Sequence, residues 1–164
     1  ATTGLSEGQM EMIRDSSKEI PILYSSNMSL GVNALSTVLK ELTKILKGFD
    51  IEIIEKHHNK KIDAPSGTAY LLANVINETL DNSKNFIYGR EGKNAKRTEN
   101  EIAIHTVRGG TIPGEHTVIF AGLDEIVELK HTALSKNIFA QGAIKAAGFI
   151  VKAKPGFYSM CDIF

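Results

Sequence analysis

Hydrophobic and polar positions along the chain follow two periods, one helical and one alternating. Apolar residues recur at helical spacing over about Leu30–Leu46 and again over Tyr70–Leu80, and each stretch predicts a helix with one apolar face. A third helix, rich in alanine and glycine, is predicted over about Ile138–Lys152. Near the N-terminus, Ser6-Glu7-Gly8-Gln9 fits a capping box and predicts a helix that ends at about Ser16.

Four alternating or β-branched stretches predict one sheet, with strands at residues 50–56, 101–108, 116–121 and 125–132. The sequence therefore predicts an α+β fold, with a mixed or antiparallel sheet of about four strands and helices on one face. The other face would need a partner, which suggests self-association through the sheet.

Three further segments complete the pattern. Ile20–Tyr24 predicts a short buried strand that ends in a polar loop. Residues 86–100 are polar and predict an exposed loop, and a role in covering a binding site is an equal alternative. The apolar tail at residues 157–164 has no place in the four-stranded domain, so we expect it to be covered.

Composition narrows the class of protein. Of the 164 residues, 42% are hydrophobic, and 19 basic residues balance 19 acidic ones, so no overall field favours nucleic acid. The single cysteine, Cys161, excludes an internal disulfide and is consistent with a reducing cytoplasm. No apolar run approaches the ~20 residues of a membrane span. We expect a cytoplasmic protein with neither nucleic acid nor membrane as a partner.

The start of the helix after the second strand predicts an anion site. Pro65 suits a first-turn position, because it has no N–H to lose there, and Asp63 or Ser66 can cap the helix. Gly67 and Thr68 leave backbone N–H groups uncovered, and the end of the helix dipole favours a negative charge.

Basic and proton-transfer side chains precede this helix start. His57 and His58 are adjacent at the end of the strand, and either could supply a proton near neutral pH. Lys60 and Lys61 could fold back over the same anion. The combination suits a small substrate that bears carboxylates and needs a proton, although a solvated loop is the alternative for such residues.

The string at residues 55–69, E-x-H-H-x-x-K-x-D-A-P-S-G-T-A, resembles the signature of the 4-hydroxy-tetrahydrodipicolinate reductase family, also called dihydrodipicolinate reductase. The resemblance extends along the chain. Thr2-Thr3-Gly4 resembles the family's nicotinamide-side loop, with Ala1 where a glycine is usual. Residues 25–33 resemble its second cofactor segment. Residues 131–136 resemble its hinge, with a final lysine where many members carry arginine.

The resemblance implies an NAD(P)H-dependent oxidoreductase that acts on a CH–CH pair. It would reduce 4-hydroxy-tetrahydrodipicolinate to tetrahydrodipicolinate in lysine and diaminopimelate biosynthesis. By the same resemblance His57 and Lys61 are catalytic, and Lys61 also binds the cyclic dicarboxylate together with His58, Gly67 and Thr68. No metal is implied. The residues implied to contact NADH or NADPH are Ala1, Thr2, Thr3, Ser25, Ser26, Asn27, Met28 and Lys136.

The resemblance also implies a domain arrangement. Residues 1–28 would be the C-terminal remnant of a Rossmann-type nucleotide-binding domain, and residues 29–136 a substrate-binding and tetramerisation domain. Residues 137–164 would be a helix and tail that return to the nucleotide-binding domain. We therefore expect a truncated form that does not turn over by itself, and a homotetramer formed through the sheet.

Two other classes of function stay open from the residues. One is a stand-alone dicarboxylate-binding or oligomerisation domain without redox chemistry. The other is a metal-dependent lyase or hydrolase that uses His57, His58, His105 or His116. The second is disfavoured, because adjacent histidines point to opposite sides of an extended strand and no carboxylate lies at helical i+4 spacing.

Overall fold

The computed structural model describes residues 4–164, which form two compact units. The first unit holds the chain up to residue 34 together with residues 135–164, and the second holds residues 35–134. The elements in chain order are α1 (Glu7–Ser16), β1 (Pro21–Leu23), α2 (Leu30–Ile45), β2 (Asp50–His57), α3 (Gly67–Thr79), β3 (Asn85–Tyr88), β4 (Glu101–Arg108), β5 (Gly114–Ala121), β6 (Ile126–Ala133), α4 (Asn137–Ile150), β7 (Gly156–Tyr158) and a 3₁₀ turn (Met160–Ile163).

A five-stranded mixed sheet forms the second unit, in the order β3-β4-β2-β5-β6. Strands β3, β4 and β2 run parallel, whereas β5 is antiparallel to both β2 and β6. The predicted α+β class is confirmed. The fifth strand, β3, comes from the region that we expected to be a loop. Phe86 pairs with Ile102 and packs against the core, but only four residues extend the sheet before the polar stretch begins.

Helices cover one face of this sheet, as predicted. Alternate residues of each strand point to the same face, and the central strands place β-branched or aromatic side chains there. The core of the second unit consists of Leu39, Ile51, Ile53, Ala69, Leu72, Ala73, Ile76, Ile102, Ile104, Val118 and Phe120. At roughly 1.5–3 kcal/mol for each large buried side chain, this cluster is the main stabilising term of the unit.

The start of α3 differs from the sequence prediction at one residue. The helix begins at Gly67, and Ser66 is its N-cap, with extended φ and ψ of −69° and 153°. The Ser66 hydroxyl accepts the backbone N–H of Ala69 at 3.2 Å, so of the two predicted caps Ser66 is the one used. Pro65 therefore lies before the helix and not in its first turn, because the extended Ser66 separates it from the helical backbone.

The first unit contains a small parallel pair, β1 with β7, and a core of its own. Met28, Ala146 and Met160 are buried together there, with Ile163 packed against them. The C-terminal tail thus forms a strand and a 3₁₀ turn instead of a loose apolar end. At the other terminus the predicted capping box is present, because Ser6 and Gln9 exchange hydrogen bonds of 2.8 and 3.3 Å.

Two arginines tie the polar segment after β3 to the sheet. Arg97 contacts Asp50 at 2.7 Å and Glu52 at 3.1 Å, and Arg90 contacts Glu52 at 2.7 Å and also pairs with Glu101. The segment is irregular, as expected, but these ion pairs hold it against the ends of β2 and β4. None of the helices in residues 4–164 is long and apolar enough to cross a membrane.

Close packing in the first unit predicts the effect of one substitution. A Cβ atom on Gly142 would lie 1.7 Å from the Met28 carbonyl oxygen, which is backbone and cannot rotate away. Gly142→Ala should therefore destabilise the chain by about 1–3 kcal/mol or more. Gly148→Ala is the matched control in α4, since a Cβ there has nothing within 4 Å and alanine favours a helix.

Chemical denaturation of the purified chain measures both changes. We expect the unfolding midpoint to fall for Gly142→Ala and to stay level or rise for Gly148→Ala. Equal midpoints for the two variants would contradict the packing described here.

Candidate active site

The candidate site includes polar residues on the buried face of β2. Ile51, Ile53, Glu55 and His57 share this face by strand alternation, and all four are buried. The first two are core residues, whereas Glu55 and His57 bring polar groups into the same layer. A fully buried carboxylate is costly unless it is paired and hydrogen-bonded, so its partners define the site.

Glu55 accepts hydrogen bonds from four residues. Arg108 on β4 contacts both carboxylate oxygens at 2.8 Å, and the hydroxyl of Thr106 lies 3.3 Å from Oε1. The backbone N–H of Ser66 donates to Oε1 at 3.0 Å, and the Nδ1 atom of His57 lies 2.6 Å from Oε2. Burial by itself raises the pKa of Glu55, but the hydrogen bonds from Arg108 and His57 outweigh it and the pKa is lowered.

One carboxylate therefore connects the predicted proton donor to the predicted anion-binding helix start. Ser66 caps α3 and immediately precedes Gly67, which is exposed at the first helical position. The N–H groups of a first helical turn have no partner within the helix, so they can face an anion. The Glu55 carboxylate thus contacts His57 through Oε2, and through Oε1 it contacts Ser66, the residue directly before this first turn.

A second histidine lies against the first. The rings of His57 and His116 are 5.2 Å apart and nearly perpendicular, and His116 Nε2 is 2.8 Å from the Ser66 hydroxyl. Burial, together with the nearby charges of His57 and Lys61, lowers the pKa of His116 to about 4. His116 is therefore neutral at physiological pH, and it adds no positive charge beside His57.

The loop between β2 and α3 is held at several points. The N–H of Gly109 donates to the His57 carbonyl at 2.9 Å, and Arg108 donates to the Asp63 carbonyl at 2.8 Å. Lys61 forms a 2.8 Å ion pair with Asp63 and is only partly exposed, whereas Lys60 is exposed. The charge of Lys61 also contributes to the lowered pKa of His116, so Lys61 lies near that ring as well as near Asp63.

The other predicted substrate-binding residues lie on the same loop and helix start. His58 follows β2 directly and is half-buried, and Thr68 is half-buried at the second position of α3. Together these groups offer one imidazole buried beside an anion, a lysine ammonium and a helix start whose first residue, Gly67, is exposed. Such an arrangement can bind a small dianion and pass it a proton.

The predicted cofactor residues that the structure describes lie in the first unit, on the loop after β1 and before α4. The Ser25 hydroxyl donates to the Asn27 carbonyl at 2.8 Å, and Asn27 Oδ1 accepts the Ser29 N–H at 2.8 Å. These side chains are used within the loop, and Met28 is buried in the core. The side chains of Ser26 and Lys136 are exposed. Ala1, Thr2 and Thr3 lie outside the described residues.

Sequence reasoning assigned no role at this site to Glu55, Arg108 or Gly114, and it named His116 only as a possible metal ligand. A signal existed for Glu55, because it follows Ile51 and Ile53 at the inward-facing positions of β2. Arg108, Gly114 and His116 reach the site through strand pairing, and nothing in their local sequence indicates it.

Over the described residues, no group of three or more histidine, cysteine, aspartate or glutamate side chains could hold a metal ion.

Fold and site together define an α+β domain with a buried glutamate–histidine pair beside the start of helix α3. The chain matches the family described as "Dihydrodipicolinate reductase, C-terminus" over residues 31–164. The chain belongs to this family of reductases.

Known proteins agree with this assignment. The 4-hydroxy-tetrahydrodipicolinate reductase of Caldanaerobacter subterraneus subsp. tengcongensis is 55% identical over 163 residues, which cover 99% of this chain and 65% of the relative. That of Clostridium tetani is 54% identical over 161 residues, or 97% of this chain and 62% of the relative. The chain thus spans somewhat less than two thirds of the length of these relatives.

A solved structure has the same fold. It is a dipicolinate-bound dihydrodipicolinate reductase from Paenisporosarcina sp. TG-14, which is 23% identical with a TM-score of 0.79. The match covers 100% of this chain and 63% of that chain. At this identity the likeness shows the fold alone.

The lowered pKa of His116 predicts a loss of stability in acid. The folded state keeps this ring neutral down to about pH 4, whereas an ordinary histidine takes up a proton near pH 6.5. As pH falls through this window the unfolded state binds the extra proton, so the free energy of unfolding falls. The contribution of one such group is roughly 3 kcal/mol across the window.

Urea titrations at several pH values test this expectation. His116→Gln removes the titrating ring, so its stability should fall less steeply than that of the parent between pH 6.5 and 4. Parallel curves for the two proteins would show that His116 does not remain neutral on folding.

Proposed function

We propose that this chain carries the substrate-binding and proton-donating part of a 4-hydroxy-tetrahydrodipicolinate reductase. The observation that carries the proposal is the carboxylate of Glu55, which contacts the His57 ring at 2.6 Å and the backbone N–H of Ser66, the N-cap of α3, at 3.0 Å. Family membership supports it, since the two relatives described above carry that activity in their names. The overall reaction is reduction of 4-hydroxy-tetrahydrodipicolinate to tetrahydrodipicolinate by a hydride and a proton, with loss of the 4-hydroxyl group as water.

In this proposal the two carboxylates of the substrate are bound by different groups. Lys61 and His58 bind one of them, and the N–H groups of Gly67 and Thr68, with the Thr68 hydroxyl, bind the other. Hydrogen bonds to charged groups contribute roughly 1.5–3 kcal/mol each, so several are needed to hold a small polar ring in water. Lys61 would exchange its contact with Asp63 for one with the substrate.

His57 then acts as the general acid. NADH or NADPH, when bound, supplies the hydride, and the resulting ring anion or enamine needs a proton at carbon. A protonated imidazole held beside an anionic Glu55 can donate that proton to the substrate. The neutral His116 allows this, because it places no second positive charge beside the ring.

The cofactor would contact the first unit. Ser26 and Lys136 are exposed there, and buried Asn27 and Met28 could take part through their backbone groups. Lys136 would interact with the negative charge of a dinucleotide. The proposal covers NADH and NADPH alike. By this assignment residues 1–28 and 137–164 belong to the nucleotide-binding domain, and residues 29–136 form the substrate-binding domain.

Self-association is the partner interaction that we propose, as a homotetramer formed through the sheet. The face of the sheet opposite the helices carries exposed apolar side chains, among them Val107 and Ile126. It also carries Glu115, which pairs with Lys56 at 2.6 Å and with Lys130 at 2.9 Å. A mixture of apolar and internally paired charged groups suits a surface that a second copy covers.

Binding of 2,6-pyridinedicarboxylate, a planar dianion that resembles the substrate, tests the proposed site. Calorimetric titration of the chain should show saturable binding. Lys61→Ala should weaken it roughly tenfold or more, because a charge-assisted hydrogen bond is lost. Lys60→Ala is the matched control, since this neighbouring lysine is exposed and outside the proposed contacts.

The reaction itself needs a version of the chain extended to the full length of its relatives. There His57→Ala should lower the rate of NADH or NADPH oxidation with substrate by roughly 10²–10⁴-fold, the usual contribution of general acid catalysis. An unchanged rate would reject His57 as the acid.

In the binding experiment, equal affinity of Lys61→Ala and Lys60→Ala for 2,6-pyridinedicarboxylate would reject the proposed role of Lys61.

A further inference from the structure

The partners of Glu55 differ between its two oxygens. Oε1 accepts from three donors, namely the Ser66 N–H at 3.0 Å, Arg108 Nη2 at 2.8 Å and the Thr106 hydroxyl at 3.3 Å. Oε2 faces Arg108 Nη1 at 2.8 Å and His57 Nδ1 at 2.6 Å. The Ser66 N–H and Arg108 can only donate, whereas the Thr106 hydroxyl and the imidazole nitrogen can donate or accept, and of these two only the nitrogen faces Oε2.

The charge on Glu55 decides whether Nδ1 of His57 donates or accepts the hydrogen bond. An ionised carboxylate only accepts hydrogen bonds, so Nδ1 of His57 has to carry the hydrogen. The Arg108 guanidinium neutralises the buried charge and thus keeps the carboxylate ionised without a proton from His57. The free position of the ring is then Nε2, which makes no hydrogen bond within the described residues.

Gly114 keeps the space beside Nε2 open. A Cβ atom at this position would lie 3.0 Å from Nε2 and 3.5 Å from Cδ2 of His57. Because residue 114 has no side chain, the nitrogen that does not face Glu55 has room next to it. The ring is therefore held at one nitrogen and left open at the other.

We propose that Glu55 is a positioning residue that fixes His57 as the Nδ1–H tautomer, so that the proton given to the substrate leaves from Nε2. The proposal rests on the proposed function only for the identity of the proton acceptor. In the step, the Nε2–H bond of the imidazolium breaks and a C–H bond forms on the substrate. The neutral ring that remains has its hydrogen on Nδ1, which is the form that Glu55 accepts, so no proton moves to the carboxylate.

Glu55→Gln gives the sharpest test, because the amide has one oxygen and one NH₂ group. With NH₂ in the place of Oε1, two groups that can only donate, the Ser66 N–H and Arg108, would face it, and only the Thr106 hydroxyl could accept. With NH₂ in the place of Oε2, it meets one donor and the His57 ring, which can accept. The second orientation is favoured, and it requires a bare Nδ1 and a hydrogen on Nε2. The substitution should therefore reverse the tautomer of His57.

Long-range ¹H–¹⁵N NMR spectra of the imidazole rings report the tautomer directly. The 164-residue chain is labelled at histidine and measured above the pH at which His57 becomes neutral, and His57→Asn assigns its signals. Glu52→Gln is the matched control. Glu52 lies on the same strand and contacts His105 Nε2 at the same 2.6 Å, but it belongs to a separate cluster.

In the parent chain we expect a pyrrole-like Nδ1 and a pyridine-like Nε2 for His57, and in Glu55→Gln the reverse. Glu52→Gln should leave His57 unchanged. A parent His57 with its hydrogen on Nε2, or a tautomer that is the same in Glu55→Gln, would overturn the proposal. The parent spectrum decides the first point even if the variant does not fold.

These spectra contain no substrate or cofactor, so they can support the positioning role even if the reductase assignment fails. Conversely, dicarboxylate binding that depends on Lys61, combined with the wrong His57 tautomer, would retain the proposed function and reject the role of Glu55. A purely structural role for Glu55 would change stability but would not reverse the tautomer of one ring.

Discussion

The constraint on which the second unit depends is the ionised carboxylate of Glu55 inside its core. A charge in that position has to be matched by an opposite charge and by hydrogen bonds, or it destabilises the fold by several kcal/mol. Arg108 supplies the charge from β4, and Ser66 and His57 supply donors from the helix start and from β2. Satisfying one carboxylate therefore brings three elements together at one place.

The same strand carries a second acidic cluster on its opposite face. Glu52 contacts His105 at 2.6 Å, Arg90 at 2.7 Å and Arg97 at 3.1 Å. Burial raises the pKa of Glu52, but the hydrogen bonds from His105 and the two arginines lower it further than burial raises it. This cluster anchors the polar segment after β3, whereas the Glu55 cluster assembles the site. Because side chains alternate along β2, the Glu52 cluster lies on one face of the sheet and the Glu55 cluster, at the candidate site, lies on the other.

Local signals in the sequence named candidate residues in one continuous segment, but they did not predict the hydrogen bonds that connect this segment to β4 and β5. The histidine pair, Lys61 and the cap at Ser66 could be found because strand end, loop and helix start are continuous in the chain. Arg108 and His116 could not, because parallel pairing of β2 with β4 and antiparallel pairing with β5 bring them in from more than 50 residues away. Periodicity predicts that a strand exists, but it does not state which strands will be its neighbours.

By itself the amino-acid sequence determined the α+β class, the four longer strands, every long helix and the family to which the chain belongs. These follow from short-range patterns: apolar spacing, capping residues and a long continuous motif. Tertiary structure alone decided that Phe86 extends the sheet, that Pro65 lies outside α3 and that the C-terminal tail forms β7. It also decided which nitrogen of His57 faces Glu55. Each of these depends on which distant groups are available to satisfy a buried backbone, a buried apolar surface or a buried charge, and that is settled only when the chain is folded.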